Sequence, residues 1–197
     1  MSPTASAANS PEGDARQRRV FAALRVPAPV AYALGARARE ALAGSAAPHW
    51  TDPANYHLTL VFLGDLSADA LAALVAALGA SPRRDAVWVT PTAIARFPSP
   101  SGPIVAALVA QTPALLALRH DLVAAAGQGG IATETRPYRP HITLGRVGRG
   151  MGMDAGAVSL AGLGFRAGCF GLYRGERTGG AAGEHYRYRA LATFPLD

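Results

Sequence analysis

Two four-residue patterns, HLTL at His57 to Leu60 and HITL at His141 to Leu144, carry the chemistry of this chain. Each sets a His and a Thr two residues apart, and on a β-strand that spacing points both polar side chains to one face while the aliphatics enter the core. Two such strands facing each other would give two imidazoles and two hydroxyls around one cleft. Such a site suits a phosphate ester and needs no metal. With ordinary pKa values near 6.5, one imidazole can be neutral and take a proton from water while the other is protonated and donates to a leaving oxygen. The hydroxyls of Thr59 and Thr143 can hydrogen-bond the non-bridging oxygens, where charge accumulates in the transition state. A single His-X-Thr is no more than a half-buried strand commonly shows, and Thr suits an exposed strand face anyway. Two copies with matching flanks, in a chain of five His, exceed what chance placement gives.

The elements that must position these residues follow from periodicity and punctuation. Arg19 to Val26 reads as a first strand, and Pro27 begins a helix through about Leu42 with Gly44 just past its end. His57 to Leu63 is a strand closed by Gly64, and Ser67 caps a helix to about Leu78. Ala86 to Phe97 and Ile104 to Ala110 read as strands joined by the turn-rich PSPSGP, which predicts a hairpin. A third helix spans about Pro113 to Ala126, ended by Gly127. Strands are expected again at Arg139 to Val147, Ala157 to Phe165, Cys169 to Arg174 and Tyr186 to Phe194. Interrupted alternation with hairpins indicates α+β with mainly antiparallel sheets rather than a doubly wound parallel fold. The motifs lie 84 residues apart (141 minus 57), each on a strand flanked by helical segments, which suggests a two-lobed pseudo-repeat.

Composition sets the bounds. A chain of 197 residues, 50% hydrophobic, can bury one substantial core. Residues 1–18 are rich in Ser, Ala, Pro and charge and read as a disordered tail, leaving 19–197 as a single bilobal domain. No signal-peptide h-region and no uninterrupted apolar span of membrane length is present, so no membrane association is expected. Cys169, the one cysteine, excludes an internal disulfide, fits a reducing cytoplasm and reads as a small buried hydrophobe. The net charge is +6 and all 19 basic residues are Arg, which gives weak support for an RNA or nucleotide ligand, since a GC-rich coding bias better accounts for the lack of Lys. There is no HExxH, no paired CxxC and no GxxxxGK[ST], so zinc-protease, zinc-ribbon and P-loop readings lack support. His49, His120 and His185 lack a Thr two residues on and are read as surface, loop or strand-edge positions; Arg83, Arg84 and Asp85 are read as a solvated loop.

Taken together, WTDPANYHLTLVFLG, RPYRPHITLGRV, the opening RVFAALRVP, and FGLYRGER with HYRYRALATFPL resemble the two-histidine (2H) phosphoesterase superfamily. Within it, they are most similar to the bacterial and archaeal RNA 2',3'-cyclic phosphodiesterases, also called 2'-5' RNA ligase-like or LigT-like. The resemblance covers roughly residues 19–197 and implies a two-lobed α+β fold, antiparallel sheets facing a central cleft with helices packed outside. It implies His57 and His141 as catalytic residues and Thr59 and Thr143 as phosphate-binding ones, acting on RNA or a nucleotide ending in a 2',3'-cyclic phosphate to leave a 2'-phosphate. His57 would serve as acid to the 3'-oxygen and His141 would activate water. Arg146 matches a basic position that in the family holds a neighbouring phosphate, and Phe62 and Phe21 match possible nucleotide contacts. The chain departs from the family where Phe21 is followed by Ala22 instead of a second aromatic, and where Pro103 to Ala107 lacks a Trp. These departures bear on nucleotide recognition more than on the phosphate chemistry.

The expectation is a cytoplasmic, monomeric enzyme with no metal and no cofactor. Three alternatives stand beside it. The same site could hydrolyse another small cyclic phosphate, could join RNA ends through a 2'-5' linkage, or could bind RNA without catalysis.

Overall fold

The computed structural model describes residues 19–43, 48–82, 84–99, 102–148, 158–178 and 185–197; the expected tail, residues 1–18, lies outside them. In chain order the described elements begin with β1 (Val20–Arg25), α1 (Ala28–Ala41), β2 (His49–Trp50), a single 3₁₀ turn (Pro53–Asn55) and β3 (His57–Gly64). Next come α2 (Ala68–Ala80), β4 (Val87–Val89), β5 (Pro91–Phe97), β6 (Ile104–Val109) and α3 (Pro113–Gln128). The described chain ends with β7 (His141–Arg146), β8 (Phe165–Ala167), β9 (Cys169–Thr178) and β10 (His185–Pro195).

Helix starts follow local chemistry. Ser67 Oγ accepts from the Ala70 N–H and Thr112 Oγ from that of Leu115, so two helices open on side-chain caps. Helix α1 has no side-chain cap but begins at prolines, whose fixed φ suits a first turn.

Eight strands form one sheet in the order β10-β9-β1-β3-β7-β6-β5, with β2 added on β7, and every pairing in it is antiparallel. All three helices bury an apolar face against one side of this sheet: Ala31, Leu34 and Ala38 from α1, Leu74 and Leu78 from α2, and Leu115, Leu118 and Leu122 from α3 share a core with Leu24, Leu58, Ile142, Leu144 and Leu172. The architecture is thus α+β with antiparallel sheets. The opposite side carries two separate small clusters, Phe21, Ala23 and Tyr173 with Tyr188, and Phe97, Ile104 and Ala106 with Leu108. Strands covered on both sides lose the plain in/out alternation, which is why β1 is buried at five successive positions.

Four expectations are corrected. Ala86 to Phe97 is not one strand: Pro91 cannot donate to a ladder, and the chain breaks at Thr90 so that β4 pairs with β8 in a separate ribbon while β5 makes the expected hairpin with β6. Within the expected strand over Ala157 to Phe165, residues 158–164 form instead a loop turning at Gly162, whose φ of 78° favours glycine. Cys169 is exposed at the start of β9 rather than buried. Arg84 is no solvated loop residue, since its Nε lies 3.1 Å from Asp121 and its guanidinium sits over Phe170. The two-residue strand β2 is an addition that sequence patterning did not reveal. Gly145 permits it, because a side chain there would come within 3.0 Å of the His49 carbonyl oxygen.

Gly171 does comparable work beside the first small cluster. A Cβ at this position would lie 2.6 Å from the Tyr173 hydroxyl and 2.7 Å from two of its ring atoms, so the Tyr173 ring lies flat over Gly171. Gly171→Ala is expected to cost about 1–3 kcal/mol by forcing that ring aside. Gly168→Ala, which meets nothing within 4 Å, should change the urea midpoint by about 0.5 kcal/mol equivalent or less. Equal midpoints for the two variants would refute the packing account.

Candidate active site

The motif strands β3 and β7 are neighbours at the centre of the sheet, and they share a single register pair, Leu58 with Ile142. Because these are the second residues of HLTL and HITL, the two motifs are related by a local two-fold through that pair. Both strands show the same burial sequence over six residues, partly buried, buried, partly buried, buried, buried, exposed. The repetition extends to a β-bulge in each. Opposite β1, Ala22 pairs with Val61 and Ala23 with Thr59, leaving Leu60 extra; opposite β6, Val105 pairs with Gly145 and Ala106 with Thr143, leaving Leu144 extra.

The bulges decide which residues join the site. Phe62 and Arg146 each follow their histidine by five positions, and on a regular strand an odd spacing would put them on the far side of the sheet. One extra residue restores them to the histidine side. Phe62 pairs with Phe21, and Arg146 pairs with Ile104, a member of the second small cluster on that side. His57, Thr59, Phe62, His141, Thr143 and Arg146 therefore all lie on the helix-free side, as the paired motifs suggested. Phe21 belongs with them, its ring centroid 5.0 Å from His57 and 6.2 Å from Phe62.

Both imidazoles are held the same way. His57 Nδ1 lies 2.7 Å from the Asn55 carbonyl oxygen, and His141 Nδ1 lies 2.8 Å from that of Arg139, in each case two residues upstream. A carbonyl only accepts, so Nδ1 carries the proton and the neutral ring presents the Nε2 lone pair. Around His57 the ring of Tyr188 stands edge-on at 4.7 Å, while Phe97 stacks on His141 at 4.1 Å and lies under the Arg139 guanidinium.

This packing sets the electrostatics. Burial pushes the His57 imidazole down to about 4, against the stabilising hydrogen bond to Asn55, with the positive charges of Arg25 and of a protonated His141 adding to the depression. The repulsion between the two rings places both imidazoles in one field. Burial also lowers His141, opposed by its bond to Arg139 and assisted by the Arg139 charge. At neutral pH the free protein thus holds two neutral, oriented imidazoles.

Two tyrosines brace the junction. Tyr56, fully buried beside His57 in sequence, donates its hydroxyl to the Leu144 carbonyl at 3.4 Å; Tyr138, three residues before His141, donates to the Thr59 carbonyl at 3.0 Å. Each reaches from one motif's approach to the other motif's backbone, and burial raises the pKa of both, to about 12 for Tyr56. Neither was singled out in the sequence, nor were Arg25, Phe97, Tyr173 and Tyr188, which line the rest of the histidine side. Tyr173 and Tyr188 arrive through the pairing of β9 with β1 and β10, Arg25 through β1 on β3, and Phe97 through β5 and β6 on β7, pairings that no local pattern reveals.

His49 is exposed in β2 and His120 is exposed on α3 beside Asp121, as read from the sequence. Among the described residues, no group of three or more His, Cys, Asp or Glu side chains is arranged to hold a metal, and no helix is long and apolar enough to cross a membrane. A hollow of about 440 Å³ lined by Trp88, Thr92, Ser159 and Gly164 among others contains none of the motif residues. The hollow beside His57, lined by Phe21, Arg25, Tyr173 and Tyr188 among others, is only about 10 Å³, room for about one water.

Residues 16–154 match the 2'-5' RNA ligase superfamily, a span that includes both motif strands. The chain belongs to that superfamily. Among relatives, an RNA 2',3'-cyclic phosphodiesterase of Geobacillus stearothermophilus is 33% identical over 103 residues, 51% of this chain and 33% of that protein, so the match spans about a third of that relative's length. Among solved structures, E. coli LigT complexed with 3'-AMP superimposes with a TM-score of 0.71 at 25% identity, covering 91% of this chain and 98% of LigT. The Thermus thermophilus protein TT0787 gives 0.69 at 25% identity over 90% and 97% of the two chains. Within the superfamily, then, this chain has the LigT-like fold, and the matched span holds both HxTx strands.

The depressed His57 pKa has a consequence for stability. Between pH 6.5 and about 4 the unfolded chain binds a proton at His57 that the folded chain refuses, so the stabilising neutral state is fully present above 6.5 and its contribution is lost as pH falls through this window. Thermal or urea unfolding of the wild type should lose on the order of 1–3 kcal/mol more between pH 7 and pH 4 than His57→Asn does. Parallel pH dependences would contradict the assignment.

Proposed function

We propose that the protein hydrolyses the 2',3'-cyclic phosphate of an RNA end or nucleoside to a 2'-phosphate, using His57 and His141 as an acid/base pair without a metal. The observation that carries this reading is the junction of the two motifs at Leu58 and Ile142, with both Nδ1 atoms clamped by carbonyls so that both Nε2 atoms remain for proton transfer.

In the proposed step, neutral His141 takes a proton from water as the water oxygen bonds to phosphorus. The bond from phosphorus to the 3'-oxygen breaks, and protonated His57 supplies the proton to that oxygen. A low pKa makes protonated His57 a strong donor, and the negative phosphate favours the protonated ring once bound. Thr59 and Thr143 donate to the non-bridging oxygens. Arg146, on the strand that carries His141, binds phosphate, and Phe21 and Phe62 contact the nucleotide. The RNA 2',3'-cyclic phosphodiesterase relative and the LigT complex with 3'-AMP support a nucleotide or RNA substrate.

The local two-fold equivalence of the two histidine clamps favours one further reaction. With a 5'-hydroxyl in place of water the same roles apply: His141 takes its proton as that oxygen bonds to phosphorus, and His57 protonates the departing 3'-oxygen, leaving a 2'-5' linkage that an exchange of the two roles reopens to the cyclic phosphate.

The test is incubation with 2',3'-cyclic nucleotides and with RNA oligomers ending in cyclic phosphate, in chelator, with identification of the product isomer. A 2'-phosphate is expected; binding with no product would leave only an RNA-binding module. His57→Ala and His141→Ala should each lower kcat by about 10² to 10⁴ while the circular dichroism spectrum is retained. Since both free imidazoles titrate below 6.5, kcat/KM should follow a bell with its optimum on the acid side of that value. The kcat profile should lie at higher pH, because the bound anion raises both groups. A kcat/KM optimum in the alkaline range would be incompatible with this pair.

A further inference from the structure

Arg25 ends β1, a strand that is otherwise apolar, and it pairs across the sheet with His57. Directly paired residues share a side, so Arg25 stands on the histidine side, one strand spacing of about 5 Å beyond β3 and away from β7. Its position along the row is therefore outside the His57/His141 pair, next to the patch formed by Phe21, Tyr173 and Tyr188. The residue is exposed. Its Nη2 donates to the Ala54 carbonyl at 2.5 Å, which anchors the guanidinium at the edge of the 3₁₀ turn and engages one of its five N–H donors. Among the described residues no carboxylate forms an ion pair with it. The result is an oriented cation without a counter-charge, set beside an aromatic patch and within the field of His57.

We infer that Arg25 is a specificity residue that binds the internucleotide phosphate on the 5' side of the terminal nucleotide, so that the site prefers an RNA chain to a mononucleotide. The inference rests on the reading of the site as one for RNA ends. The Ala54 anchor holds the guanidinium at the 3₁₀ turn on the β1 side of His57, whereas the scissile phosphate lies toward β7, between His57 and His141. An anion reaching Arg25 must therefore be a second group of the same ligand, joined across the aromatic patch by a ribose and base. In an RNA chain that group is the next phosphodiester. Arginine suits it, since a planar fork binds phosphate oxygens in pairs.

Binding tests the inference without requiring turnover. The Kd of a dinucleotide ending in a 3'-phosphate and that of a nucleoside 3'-phosphate are measured for wild type, Arg25→Gln and Arg25→Lys. Arg25→Gln is expected to weaken the dinucleotide about tenfold or more and the mononucleotide about threefold or less, with a shallower salt dependence for the dinucleotide only. Arg25→Lys should recover part of the dinucleotide affinity. Equal weakening of both ligands would mean that Arg25 acts only by holding the Ala54 turn, and an unchanged ratio in every variant overturns the inference. If wild type binds both ligands but opens no cyclic phosphate, the proposed function fails while the Kd ratio still decides Arg25.

Discussion

The structure depends on the way β3 and β7 meet. Two strands at the centre of an eight-stranded sheet would ordinarily be zipped along their length, yet here one register pair, Leu58 with Ile142, joins them. The tyrosine hydroxyls of Tyr56 and Tyr138 add crossed hydrogen bonds to backbone carbonyls of the opposite strand. Below the junction, Leu58, Leu144 and Ile142 are wholly buried in the core that the three helices cover. Above it, the same local two-fold places a His and a Thr from each strand. The apolar core thus clamps the two halves at one point, and the His and Thr side chains are positioned by the residues flanking that point.

Duplication extends further than the motif letters. Each strand carries a bulge at the fourth motif residue, each histidine is clamped by the carbonyl two residues upstream, and each imidazole packs on an aromatic ring. The flanks differ, and with them the chemistry. Arg25 and a ring of aromatics surround His57, whereas Phe97 and Arg139 attend His141. A near-symmetric pair of imidazoles is thereby set between unlike surroundings, as the acid/base roles proposed for an unsymmetric substrate would require. The cost is electrostatic: burying two imidazoles beside arginines depresses both pKa values, and an anionic ligand relieves it.

Much of this was legible because it is local. The helix starts at Ser67 and Pro113, the hairpin of β5 and β6, and the strands bearing both motifs follow from spacing and punctuation that act within a few residues. The failures were also physical. Ala86 to Phe97 looks like one strand by propensity, but Pro91 and the demand for two different partners divide it. The segment ahead of Phe165 has the composition of a strand, yet residues 158–164 turn at Gly162. Cys169 is apolar by type but stands at the start of its strand, open to solvent.

His57, Thr59, His141 and Thr143 could be named from the chain alone, since a period of two on a strand needs no knowledge of the partner. The same rule, applied unaided, would send Phe62 and Arg146 to the wrong side; their return depends on bulges that form only against β1 and β6. Arg25, Tyr56, Tyr138, Tyr173 and Tyr188 carry no local mark at all. They reach the site through pairings such as Arg25 with His57 and Phe21 with Tyr173, 32 and 152 positions apart (57 minus 25, 173 minus 21). Register over such separations is set by the whole core closing at once. The chain by itself determined which His and Thr side chains share one face; the closed sheet decided their neighbours, charges and reach.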